Sequence, residues 1–259
     1  MGLDFQKSIM VNKILLTGAN GHLGKKFIEK IDCYICALVR SKKAYLDLIN
    51  FVKDRNIKNV EVIHCDYKDL SEVKQIINSC RYLVHLVGII KETKINTFQL
   101  VHEEITRYLI EALKESKVEK ICYLSILGAK KDSINKCLSS KAYSEKLLID
   151  SNIPSLILQV PMVLGEGDYA SKAIRKSALS NFTFTFRKKS MEQPIFSEDL
   201  IQAIKNDIDK QFRTKITPSG VKILAGPKAL TREDLIKKAA KTMGMKVKVF
   251  SLPIAFGIT

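Results

Sequence analysis

A chain of 259 residues can bury a sizeable core, and its ordinary balance of 46% hydrophobic and 27% charged residues excludes a disordered polymer. No apolar run approaches the roughly 18 residues that would argue a membrane-spanning helix. The formal net charge of +16 is the compositional anomaly, and it points to attraction by something acidic: phosphates, an anionic membrane surface or an acidic protein.

The N-terminal MGLDFQKSIMVNK contains an acid and lacks the apolar run of a secretory signal. Gln6 stands where a myristoylation pattern calls for Ser or Thr. No export is expected. Six cysteines, most of them inside apolar segments, fit free thiols in a reducing compartment better than a disulfide framework, so the expected location is cytoplasmic, with a peripheral membrane position as the alternative.

Short apolar runs then alternate with helical patterns. KILLT (13–17), YICALV (34–39), VEVIH (60–64), YLVHLV (82–87), KICYLS (120–125) and SLILQV (155–160) read as strands, separated by helices near 22–31, 42–54, 69–79, 97–116 and 139–151. This alternation implies right-handed crossovers and a parallel sheet covered on both faces. The fold expected is therefore α/β: a doubly wound Rossmann domain over residues 1–160, followed by a small C-terminal α+β lobe over 161–259, partly interleaved with the sheet domain. Within the lobe, FTFTF (182–186) alternates like a strand with one apolar face. SEDLIQAIKNDI and TREDLIKKAAKTMG read as capped helices, and VKILAG and KVKVFSLP as extended pieces.

The first strand runs directly into TGANGHLG, which places Gly18, Gly21 and Gly24 at a strand-to-helix junction, with Asn20, His22 and Leu23 between them. Glycines here allow a tight turn, close approach of a pyrophosphate and close helix packing, and the helix N-terminus offers free N–H groups. A dinucleotide site is expected. At the end of the second strand an NAD site usually carries an acid for the ribose 2′-hydroxyl; Arg40 followed by Ser41 and Lys42 suits a 2′-phosphate, so NADP(H) is favoured over NAD(H), the alternative being that Arg40 faces solvent. Because ligands lie at the carboxyl ends of the strands, Cys65, Asp66 and Tyr67 are placed to meet the adenine edge, and Leu86, Val87 and Gly88 to lie beside the ribose.

Other motifs read as packing. Cys33 and Cys36 form C-x-x-C at the second strand, where residues three apart point to opposite faces, and no second pair at zinc spacing accompanies them. His102 sits in HEEIT without the second histidine of a zinc site, so no metal is expected. The basic block of Lys172, Arg175, Lys176, Arg187, Lys188 and Lys189 contains no acid and is either an exposed basic face or a meeting point for an acidic protein or an anionic membrane. No recognition motif or aromatic interleaving supports nucleic-acid binding.

Taken in order, TGANGHLG, VRSKK, CDYKDL, VHLVGIIKE, VHEEITRYLIEALKES, YLSILGA, SSKAYSEKLL, VPMVLGEGD and QPIFSEDL resemble the extended and atypical short-chain dehydrogenase/reductase superfamily. The resemblance is to a branch that includes NmrA-like proteins and the nucleotide-binding accessory subunit of respiratory complex I. It implies a Rossmann fold with NAD(P)H along the strand ends, a lobe that covers a substrate, and a catalytic set of serine, tyrosine and lysine, the last two spaced Y-x-x-x-K. Ser125 matches the serine and Lys141 the lysine. Four residues before Lys141 stands Cys137, whose side chain is much shorter than a phenol. Tyr143 lies about 200° around the helix from Lys141, away from the implied site. The resemblance therefore implies a coenzyme-binding protein used in cofactor binding, sensing or assembly without standard tyrosine-dependent catalysis; the alternative is an NAD(P)-dependent reductase, epimerase or dehydratase acting on a carbonyl or sugar-nucleotide substrate.

Overall fold

A computed structural model describes residues 12–216 and 219–252; the N-terminal stretch read for export and lipidation and the final residues, FGIT among them, lie outside that range. The chain divides into two compact units. The larger runs through Gln159 and takes back Ile201–Ile223, and the smaller comprises Val160–Leu200 and resumes at Leu224.

In the larger unit the apolar runs become β1 (Ile14–Thr17), β2 (Ile35–Val39), β3 (Val60–His64), β4 (Tyr82–His85), β5 (Lys120–Ile126) and β6 (Ser155–Val160). Helices α1 (His22–Lys30), α2 (Lys42–Asp54), α3 (Leu70–Ile77), α4 (Ile105–Leu113) and α5 (Lys136–Asp150) connect them, and a π-helical stretch, Gln99–Glu104, leads into α4. Strands β1, β2 and β4 are buried along their whole length, as strands covered on both faces must be. Caps fix the helix starts: Ser41 accepts from Ala44 N, Asp69 from Glu72 N and Asn135 from Cys137 N. The Asn135 cap begins α5 at Lys136, earlier than the sequence pattern suggested, and so brings Cys137 into its first turn.

The strands form one sheet in the order β11-β6-β5-β4-β1-β2-β3. VKILAG, read with the C-terminal lobe, contributes β11 (Gly220–Ile223), which pairs parallel with β6 at the edge of this sheet. Strand order reverses between β1 and β4, whose register pairs Thr17 with His85. The sheet is a doubly wound Rossmann fold, and such a reversal opens a crevice at the carboxyl ends of its strands. Leu15, Leu38, Leu83, Ile121 and Ile157 from the sheet pack with Ile105, Leu109 and Leu148 from α4 and α5 in the main core. Each such side chain fully buried stabilises by about 1.5–3 kcal/mol.

The smaller unit holds β7 (Val163–Leu164), α6 (Tyr169–Ala178), β8 (Phe182–Phe186), β9 (Met191–Glu192), β10 (Ile195–Phe196), β12 (Leu230–Thr231), α8 (Arg232–Thr242) and β13 (Lys248–Leu252). Its strands pair as three ribbons, β7 with β10, β9 with β12 and β8 with β13. Ala178, Ile236, Ala240, Val247 and Val249 make a separate small core. No helix among the described residues is long and apolar enough to cross a membrane.

Helix α7 (Ser197–Thr214) returns the chain to the larger unit, and a buried polar cluster holds it there. Lys120 Nζ lies 2.8 Å from Asp207 Oδ1, and Tyr82 donates its phenol to Asp207 Oδ2 at 2.6 Å. Lys120 is 1% exposed and Asp207 9%, so solvent cannot replace the carboxylate. Asp207→Ala should destabilise the protein by about 3–5 kcal/mol, as expected when one partner of a buried ion pair is removed. Urea denaturation checks this, with the midpoint falling and the slope unchanged.

Candidate functional site

The crevice begins where two backbones nearly touch. Gly18 follows β1 with φ +76°, and a Cβ there would lie 2.8 Å from Leu86 C and 2.9 Å from Val87 N; no other residue could turn the chain so close to the end of β4. A Cβ at Gly24 would meet Gly18 O at 2.4 Å and Ala19 Cα at 2.7 Å, so the absence of a side chain lets α1 sit against the loop. Just below, Thr17 Oγ1 and His85 Nδ1 are hydrogen-bonded at 2.6 Å, and His85 Nε2 reaches Thr106 Oγ1 at 3.2 Å. β4 therefore stops at His85, two residues short of the run read from sequence, and Leu86–Gly88 pass over the crevice as irregular backbone.

A groove of about 290 Å3 follows this line. Of the residues that the sequence suggested for a dinucleotide, Gly18, Asn20, Gly21, Arg40, Tyr67, Leu86, Val87 and Gly88 line it together. His22, Leu23, Gly24, Lys42, Cys65 and Asp66 do not. Gly24 is buried in the first turn of α1 against the loop, Lys42 is exposed at the start of α2, and the Cys65 thiol is turned toward Asp66 O at 3.4 Å. Asp66 is exposed and accepts from Lys68 N. The wall also contains Ser41, read from sequence beside Arg40, together with Ala44, Ile89 and Asn96, which sequence reasoning missed. Arg40 donates from Nη2 to Asn96 Oδ1, so the loop after β4 holds the guanidinium at the groove.

Helix α5 forms the floor beyond Gly88, and its inward face is polar: Ser140, Lys141, Ser144 and Glu145 are all buried. Each is matched. Ser140 Oγ lies 2.8 Å from His102 Nδ1, and Ser144 donates to His102 O at 2.8 Å. His102 Nε2 accepts from Ile89 N at 3.0 Å, which pins the strap after Gly88. Lys141 Nζ donates to Leu124 O at 2.9 Å and Val87 O at 3.3 Å, and lies 4.5 Å from the centre of the Tyr123 ring. A Cβ on Gly88 would come within 3.2 Å of that ammonium, so the bare backbone there lets Lys141 lie close behind the groove without shifting.

Ser125, buried at the end of β5, donates its hydroxyl to Glu145, whose two oxygens also accept from Gln159 Nε2 at 3.0 Å each. The hydroxyl thus faces the interior. Cys137 is half-buried, and its thiol points to Ile89 O at 3.7 Å. It also borders a second cavity, of about 560 Å3, with Ile90, Phe98, Ile126, Asn135 and Leu138. Burial pushes the Cys137 thiol up from its ordinary range, with the Lys141 charge acting the other way. Tyr143 lies outside this cluster, its hydroxyl accepting from Arg107 at 3.3 Å, and Lys146 pairs with Asp150.

Burial, more than any neighbour, sets the charge states. It lowers Lys141 to about 8, partly opposed by Cys137 and Glu145. Burial lowers both His85 and His102 to about 3, with the Lys141 charge adding to it. The polar ends of otherwise apolar runs, Thr17 in ILLT and His85 in YLVH, were the visible hint of this network. Among the described residues no group of His, Cys, Asp and Glu is arranged to hold a metal ion.

Residues 10–255 match the model of the NmrA-like family. Mitochondrial NADH dehydrogenase [ubiquinone] 1 alpha subcomplex subunit 9 of Mus musculus is 24% identical over 187 residues, 71% of this chain and 48% of that protein. UDP-2-acetamido-2,6-beta-L-arabino-hexul-4-ose reductase of Pseudomonas aeruginosa is 25% identical over 158 residues, 60% of this chain and 36% of that protein. The chain thus spans less than half the length of these curated relatives. Among solved structures, UDP-glucuronic acid 4-epimerase from Bacillus cereus in complex with NAD superposes with a TM-score of 0.74 at 19% identity, over 93% of this chain and 87% of that one. At that identity the likeness is one of fold.

His85 and His102 are neutral in the folded protein down to about pH 3 and titrate near 6.5 once unfolded. Between those values unfolding takes up protons, so the histidines' contribution to stability is full above about 6.5 and is lost as pH drops toward 3. Denaturation midpoints at constant ionic strength should show a slope approaching two protons, and His85→Gln should reduce it toward one.

Proposed function

This chain belongs to the NmrA-like family, and we propose that it binds NADP(H) in the groove at the β1/β4 switch point, in a cofactor-binding, sensing or assembly role that does not use tyrosine-dependent proton transfer. The observation that carries the reading is Lys141, a cation held almost out of solvent and close behind Gly88 at the groove. A lysine so placed has little to offer packing and is positioned to meet a ribose beside Gly88.

The remaining parts agree with this. Gly18, Asn20 and Gly21 would hold the pyrophosphate against the positive end of α1. Tyr67 and Val39 would flank the adenine, and Arg40, braced by Asn96, would meet a 2′-phosphate. The coenzyme would supply a hydride donor next to the cavity that contains Cys137. At that position a short thiol, its proton held more tightly by burial, replaces a phenol. Ser125, committed to Glu145, has no free hydroxyl to orient a substrate oxygen.

A second reading is supported by the 560 Å3 cavity and by the reductase relative: hydride transfer to a sugar-nucleotide carbonyl, with Lys141 or a water as proton donor. Lys141 at about 8 is within reach of such a role near neutral pH. NADPH oxidation with UDP-keto-sugars, abolished in Lys141→Ala while coenzyme still binds, would establish this reading in place of the first.

NADPH at a hundred times its Kd should stabilise the protein by about 2.7 kcal/mol, read as a rise in the thermal midpoint. Arg40→Ala should weaken NADPH about tenfold and leave NADH unchanged by isothermal titration. Equal affinities for the two coenzymes in the unaltered protein would refute the NADP(H) preference, and no response to either would refute coenzyme binding.

A further inference from the structure

FTFTF alternates as its sequence suggests, with the apolar face turned outward. In β8 the phenylalanines Phe182, Phe184 and Phe186 are 62%, 55% and 37% exposed, while Thr183 and Thr185 are half-buried on the opposite face. β13 pairs with β8 in parallel, setting Lys248, Phe250 and Leu252 beside Phe182, Phe184 and Phe186 in turn. Phe250 is 47% exposed, and its ring lies 5.6 Å from that of Phe184. Directly opposite residues share a face, so one side of this ribbon carries four phenylalanines, a leucine and a lysine.

The end of the ribbon is cationic. β8 leads into a turn in which Arg187 has φ +46° and Ser190 N donates to Arg187 O at 2.8 Å. Arg187, Lys188, Lys189, Ser190 and Ser251 line a shallow hollow of about 360 Å3 that contains no acid. Arg187 and Lys189 are exposed and make no ion pair among the described residues, whereas Lys188 is engaged by Glu233. The Ser190 hydroxyl oxygen is buried without a hydrogen-bond partner. Cations beside an unsatisfied hydroxyl suit a phosphate.

We infer that the β8/β13 ribbon is a docking surface for an anionic lipid bilayer, its phenylalanines entering the boundary between headgroups and acyl chains and a lipid phosphate resting over the Arg187–Ser190 turn. Size and charge select this occupant. Two five-residue strands cover roughly 17 Å by roughly 10 Å, a small fraction of the about 800 Å2 per partner that a stable protein interface buries. A second copy would bring the same cationic rim against this one. A bilayer requires only a few apolar side chains together with basic residues at the headgroup level, and each such residue near an anionic surface contributes about fivefold to partitioning. The inference is independent of coenzyme binding, which involves the other unit.

Flotation of the full chain with vesicles of phosphatidylcholine alone, and of phosphatidylcholine with phosphatidylserine, tests it. Binding should require phosphatidylserine. Phe184→Ser with Phe250→Ser should weaken it at least about tenfold, whereas Phe184→Leu with Phe250→Leu should largely preserve it. Arg187→Glu with Lys189→Glu should weaken it by more than about 25-fold, and the charge-matched control Lys58→Glu with Lys117→Glu in the other unit by less than about threefold. Thermal melts of each variant confirm that it is folded. The proposal is overturned if no vesicles bind, if neutral vesicles bind equally, if the serine variant binds as tightly as the unaltered protein, or if the two charge-reversal pairs weaken binding equally. A dimer that the serine variant dissolves would also overturn it, as would soluble glycerophosphoserine protecting the fold without vesicle binding.

Discussion

The close approach of the ends of β1 and β4 is the constraint from which the site follows. A Cβ at Gly18 would overlap the Leu86–Val87 peptide, so the glycine loop after β1 and the strap after β4 can share one crevice only through a bare backbone. The Thr17–His85 hydrogen bond fixes that approach from below, and the lack of a side chain at Gly24 lowers α1 onto the loop. The reversal of strand order at this place gives the crevice its opening. Groove, helix N-terminus and the Arg40–Asn96 contact are all arranged around it.

Lys141 is the counterweight. Placing an ammonium behind Gly88 lowers its pKa to about 8, a penalty on the order of 3 kcal/mol relative to a solvated lysine at neutral pH. Two carbonyls and the Tyr123 ring offset part of that penalty. Around it α5 buries serines and a glutamate with every polar atom matched, which makes the inward face of this helix a rigid polar platform. An ordinary amphipathic helix would present leucines there. Such expense in one place, beside a groove lined by glycines, is what supports reading the groove as the proposed site.

Much of this was legible in the sequence because the signals are local. Glycine spacing after an apolar run announced the loop, and strand and helix alternation announced the sheet, whereas Lys141 and Cys137 were singled out only by the family resemblance. Signals that depend on distant partners were silent. Nothing near VKILAG tells that it will pair with β6, and nothing in HEEIT tells that His102 will accept from Ile89 and hold Ser140. Period-two alternation in FTFTF identifies two unlike faces but not which one the core will take, and the threonine face was the one turned inward. No role could be read for Glu145 for a related reason, since its value lies in Ser125 and Gln159, both supplied by other elements.

The measurement that reaches the central claim is the thermal stability of Lys141→Met with and without saturating NADPH, beside the unaltered protein. Methionine keeps the length of the side chain and removes the buried charge. If Lys141 is retained for the coenzyme, the variant without ligand is the more stable of the two, and NADPH raises its midpoint far less than it raises that of the unaltered protein, matching at least a tenfold loss of affinity. A variant that is less stable without ligand, yet gains as much from NADPH as the unaltered protein, would contradict the account.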